Sequence, residues 1–178
     1  APAQTWRDVD APGARRDSAP VDVRLEYTRG EVQTRPAPTD SLLYDFHVRY
    51  DAARTRPVVG FDSAERRLAL GTRAREDVPR SGDGGSGGEA VVELGRGNPF
   101  VLSAHLAVAT STFDLGGLAI RGFSLDATAG EARIRFDSAN VSMMDELEID
   151  ATAATVQASR LGNAKAARIR ISARAATA

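Results

Sequence analysis

The C-terminal half of the chain repeats one short phrase. Leu106-Ala-Val108, Leu125-Asp-Ala127, Leu147-Glu-Ile149 and Ile169-Arg-Ile171 each set two apolar residues around one free position, and the phrases begin 19, 22 and 22 residues apart. A run of small residues follows each one, at Ala109–Ser111, Thr128–Gly130, Thr152–Ala154 and Ser172–Arg174. The first three runs lead into a second short apolar stretch, at Phe113/Leu115, Ile134/Phe136 and Val156/Ala158. A fixed period with two short strands per repeat predicts stacked β-rungs, each burying its apolar face on its neighbours. The rungs are expected over 89–178.

The N-terminal half carries strands of period two. Val21, Val23, Leu25 and Tyr27 alternate with polar residues, Gly30 turns the chain, and Glu31–Arg35 continues it. Leu42, Tyr44, Phe46, Val48 and Tyr50 alternate in the same way, and Val58–Phe61 and Arg67–Leu70 flank a turn at Asp62–Glu65. These features predict an antiparallel β-meander over 21–80, packed on the rungs. Residues 1–20, rich in Ala, Pro, Asp and Arg, read as an arm, with a short edge strand at Thr5–Val9 as the alternative. Ser81–Gly88 reads as a flexible glycine-rich loop. No stretch sustains an amphipathic helical period. Asn163–Arg168 offers a helical turn at most.

Composition removes several functional classes. The chain has 23 basic and 24 acidic residues, a formal charge of −1 and both signs interspersed, without the basic stripe that nucleic acid requires. It has no cysteine, which excludes disulfides, thiolate metal sites and a thiol nucleophile. No apolar run has the length of a membrane span. The opening Ala1–Gln4, without an initiator Met, reads as a mature exported protein; a trimmed chain would begin the same way.

No catalytic constellation emerges, and no cofactor or metal site is expected. His47 and His105 sit on the polar sides of separate strands and read as solvated. The glycine-rich loop is followed by a strand and carries no lysine, so it lacks the grammar of a phosphate loop. Aligning the repeats on Leu147 and Ile169 sets Glu146 beside Arg168 and Glu148 beside Arg170, an outward-facing acid–arginine ladder that would fix register more than stability. The same alignment sets Asp126 beside Glu148, a like-charge pair. Met143 and Met144 read as core filler.

The order of these motifs resembles a family. A polar strand before Asn98-Pro99 is followed by Phe113-Asp-Leu-Gly-Gly-Leu118, Leu125–Gly130, Met144-Asp-Glu-Leu147 and Leu161-Gly-Asn-Ala164, with Val21–Arg35 as opening strands. In this order the chain resembles the toastrack-type β domains of bacterial envelope proteins, including adhesin-like domains and the C-terminal domains of cell-wall antibiotic-response regulators. The resemblance implies an all-β, right-handed β-solenoid or roll, an extracytoplasmic location and a binding or scaffolding role, with no catalytic residues to carry over. Two departures stand out. Of the glycine-bearing turn triplets of the family only Gly130 remains, so the turns should differ in detail. The repeats also stop where the family adds strands, which leaves Arg168–Ala173 as a last rung awaiting a cap or partner.

The function expected is a non-enzymatic, exported scaffold that binds other protein subunits. It would be extrinsic to a membrane within a larger envelope complex, with respiratory and photosynthetic assemblies as candidate hosts. The alternatives are a free adhesin-like or cell-wall stress-response module and an enzyme acting on envelope polysaccharide. Candidate partner-binding residues are Trp6 on the N-terminal arm and Arg168, Arg170, Ser172 and Arg174 on the last rung.

Overall fold

The computed structural model describes residues 4–76 and 87–175. The expected glycine-rich loop lies outside them up to residue 86. Eleven strands follow in order: β1 (Trp6–Ala14), β2 (Val21–Pro36), β3 (Leu42–Asp51), β4 (Thr55–Asp62), β5 (Arg67–Ala74), β6 (Gly88–Leu94), β7 (Pro99–Asp114), β8 (Ala119–Arg135), β9 (Glu146–Thr152), β10 (Ala154–Ser159) and β11 (Ile169–Arg174), with a 3-10 turn at Leu161–Ala164. The chain is all-β and solenoid-like.

The strands form one open sheet folded on itself. Three long strands, β2, β7 and β8, bend in the middle and belong to both leaves. The first leaf runs β4-β5-β2-β7-β8-β9-β11 and the second β1-β3-β6-β2-β7-β8-β10. Pairing is parallel wherever rung stacks on rung, from β2 through β7, β8 and β9 to β11. Antiparallel pairs are confined to the N-terminal half, at β1/β3, β3/β6 and β4/β5.

Burial records each bend. Along β2 the buried residues are Val21, Val23, Leu25 and Tyr27, then Val32 and Thr34; along β8, beyond Ala119 and Ile120 at its start, they are Phe123, Leu125 and Ala127, then Ala132 and Ile134. The alternation changes phase at the corner while the strand continues, so both legs point their apolar side chains into one core. Phe113 on the second leg and Phe123 on the first meet there edge to face, with ring centroids 5.5 Å apart, a pairing worth about 0.5–1.5 kcal/mol beyond burial alone. Gly30 and Gly130 form two of the corners at φ 117° and 107°. A Cβ on Gly130 would lie 2.1 Å from the Ala109 carbonyl oxygen, which only glycine avoids.

The N-terminal half departs from the expected meander at Gly30. Gly30 bends β2 rather than reversing it, so residues 21–36 form a single rung, parallel to both β6 and β7. Residues 6–14 form an edge strand paired along its length with β3, which is the alternative offered at Thr5–Val9, extended to Ala14. The connection after it is pinned as well. Arg66 donates to both carboxylate oxygens of Asp17, at 2.9 and 2.7 Å, and to the Ala19 carbonyl. The buried Asn98 amide donates to the carbonyls of Asp17 and Ala19.

The connections between C-terminal rungs are braced by asparagines that sequence reasoning passed over. Asn140 is buried; its side-chain oxygen accepts the Ile120 N–H at 2.8 Å, and its NH₂ donates to the Ile120 carbonyl at 2.6 Å and the Ala164 carbonyl at 3.1 Å. One side chain thereby joins three successive turns of the stack. Asn163 repeats the device, donating to the Phe136 carbonyl.

The candidate interaction edge at the last rung

The rungs end unevenly. The second leaf stops at β10, which pairs with β8, while the first continues past β9 to β11. Among the described residues β11 has one neighbouring strand, β9, and the first leaf overhangs the second by one strand.

The backbone of β11 faces two ways. Leu147 N–H donates to the Arg168 carbonyl and Ala153 N–H to the Arg174 carbonyl. Alternate residues of a parallel strand bond to the same neighbour. Arg168, Arg170, Ser172 and Arg174 therefore spend their backbone groups on β9, and Ile169, Ile171 and Ala173 turn theirs to the open edge.

The side chains divide in the same rhythm. Ile169 and Ile171 are in register with Leu147 and Ile149 and share their inward face. Leu147 and Ile149 are fully buried, whereas Ile169 and Ile171 remain 45 % and 47 % exposed, and among the described residues the second leaf has no strand opposite them. Val141 and Met143, in the connection leading to β9, are 65 % and 69 % exposed. The methionine pair thus divides: Met144 is buried core, bridged to Ala166, and Met143 faces solvent.

On the outward face the acids of β9 meet the arginines at β11. Arg168 lies 3.6 Å from Glu146, and Arg170 lies 3.6 Å from Glu146 and 3.0 Å from Glu148, to which it donates a hydrogen bond. That bond, with the two glutamates' charges, raises the Arg170 pKa above its ordinary value. The residues Ile169–Arg174 include no acid, so the terminal strand presents a basic outer face.

The remaining candidates lie elsewhere. Trp6 sits on β1, at the opposite end of the strand order from β11, under the Arg49 guanidinium at 5.3 Å. The structure does not bring it together with the last-rung residues. His47 is hydrogen-bonded to Asp10 across β1 and β3, a contact that raises its pKa above 6.5. His105 lies between Glu26 and Asp126 on flanking strands, 3.7 Å from the Asp126 carboxylate. These residues border a shallow groove of about 230 Å³ beside Arg73 and Thr128. Among the described residues no group of three potential ligands is placed to hold a metal ion, and no helix is long and apolar enough to cross a membrane.

The sequence matches no family model and no curated protein. The fold, in contrast, is similar to that of a crystal structure from Clostridium sporogenes described as a "putative cell adhesion protein". The two align over 97 % of this chain and 96 % of that one, at 10 % identity and a TM-score of 0.65. At that identity the likeness concerns the fold.

Proposed function

We propose that this chain is a non-enzymatic, exported protein-binding module of the adhesin-like kind, and that β11 is the edge by which it holds its partner. The observation that carries this reading is the overhang itself. Two inward isoleucines are half exposed, and among the described residues no strand neighbours the outer backbone groups of Ile169, Ile171 and Ala173. An open, apolar edge strand is a template for another chain unless something blocks it. β11 carries no proline and no inward charge to block it. The similarity in fold to a protein described in terms of adhesion supports the class. We propose the absence of catalysis because the sequence carries no nucleophile–base motif and its 24 acids are too widespread to single out a catalytic pair. Within this class we favour a membrane-extrinsic subunit of a larger assembly, for which a fixed edge-to-strand contact is well suited.

Zero-length cross-linking on the native source, read by mass spectrometry, tests this. Lys165, the one lysine of the chain, lies just before β11 and is exposed. The proposal expects it joined to a carboxylate of another protein. Protein recovered without such a link, and migrating as a free monomer, would overturn it.

A further inference from the structure

Resting on that reading, we infer that the occupant of the β11 edge is an extended strand of another protein in which apolar and acidic residues alternate. Three observations converge on this chemistry. The N–H and C=O groups of Ile169, Ile171 and Ala173, unpaired among the described residues, repeat at every second residue, the spacing of a strand's own donors and acceptors. Beside them, Ile169 and Ile171 offer apolar flanks at the same spacing on the inward face. On the outward face Arg168 and Arg170 stand where the next strand would set its alternate side chains, and both side chains are more than half exposed despite their contacts with Glu146 and Glu148. An added strand with acids outward would continue the alternation that β9 and β11 have begun.

The chain holds its own example of such a strand. Leu147-Glu-Ile-Asp-Ala151 already pairs with β11 on its other side, apolar residue beside isoleucine and acid beside arginine. A second copy of β11 is the wrong occupant. With Arg168, Arg170 and Arg174 and no acid, self-pairing would set cation-rich edges together, and like charges on adjoining strands oppose pairing.

The probe is a capped synthetic peptide with the sequence of residues 145–152, titrated into the full chain and followed by amide NMR shifts. The expected result is saturable binding with shifts at residues 168–174. Replacing the peptide's three outward acids by Gln and Asn should weaken binding about tenfold or more. Ile171→Pro and Ala173→Pro each remove an N–H that points away from β9; both variants should keep the fold, seen in unchanged shifts elsewhere, and lose the peptide. Equal binding of the neutral peptide, no binding at all, or a concentration-dependent dimer through β11 overturns the inference. If Lys165 is nonetheless cross-linked to a partner in the native source, the protein-binding reading stands and only this occupant is wrong.

Discussion

Asp126 and Asp150 stand side by side on β8 and β9, two carboxylates in parallel register on the outward face. The sequence repeat had set Glu148, not Asp150, beside Asp126. In the structure Ser124 faces Glu148, because Phe123 pairs with Leu147, 24 residues on, where the phrases suggested a spacing of 22. The like charge expected one rung down is real, but it belongs to a different pair. Its relief should be measurable: Asp150→Asn is expected to raise stability by about 0.2–1 kcal/mol at low salt, with the gain shrinking as salt is added. Urea denaturation at two ionic strengths checks both parts.

Asn140 should be far less tolerant. Asn140→Ala leaves the buried Ile120 N–H and the Ile120 and Ala164 carbonyls without their partner. A loss of about 2–4 kcal/mol is expected, since each orphaned buried group costs on the order of 1 kcal/mol or more. Equilibrium unfolding reads the loss directly, and a cost under about 0.5 kcal/mol would show that the three turns are joined by other means.

The corners offer a pair of opposite predictions. Ala153 and Ala175 take left-handed backbone angles, φ 55° and 48°, at equivalent places in successive rungs. Where turns without glycine were expected to differ in detail, two of them adopt the left-handed shape with alanine. Ala153→Gly should therefore stabilise by about 1 kcal/mol. Gly130→Ala should destabilise by at least as much, since its new Cβ would meet the Ala109 carbonyl. Thermal melts of the two variants should move in opposite directions.

The N-terminal edge should respond to pH. His47 on β3 is hydrogen-bonded to Asp10 on β1, and that bond, ahead of the charges of Asp10, Asp8 and Asp45, raises its pKa above 6.5. The folded state thus binds the proton more tightly than the unfolded chain. The stabilisation is complete below the unfolded value and is lost as pH rises through the raised folded one. Amides of residues 6–14, corrected for intrinsic exchange, should be better protected at about pH 5.5 than at about pH 8.5. In His47→Gln the difference should vanish. Both side chains are at least half exposed, so the effect should stay local to β1.

The fold was legible in the sequence where one signal sufficed. Period-two alternation identified the strands of β3 and β7, and repetition identified the stacking. Register between β8 and β9 was not legible, for a physical reason. A slip of one residue turns every side chain to the wrong face, but a slip of two leaves all of them correctly placed. The hydrophobic pattern accepts Leu125 beside Leu147 as readily as beside Ile149, its actual neighbour. The choice is made by the corners and by Asn140, whose single buried amide looks in sequence like any loop asparagine. Gly30 misled in a related way: positive φ serves a bend within a strand as well as a reversal between two. At the last rung the arginines could be named from the sequence. The exposure of Ile169 and Ile171 could not, because their apolar identity is that of core residues and only the missing opposite strand leaves them bare.

The proposed role depends on β11 being an edge that another chain completes. Hydrogen exchange over residues 168–174, compared between the isolated protein and the proposed assembly recovered from its native source, tests this. In the isolated protein the amides of Arg170 and Ser172, bonded to β9, should exchange slowly, and those of Ile169, Ile171 and Ala173 quickly. In the assembly all five should be slow. Ile169, Ile171 and Ala173 amides that remain fast in the native assembly would contradict the account.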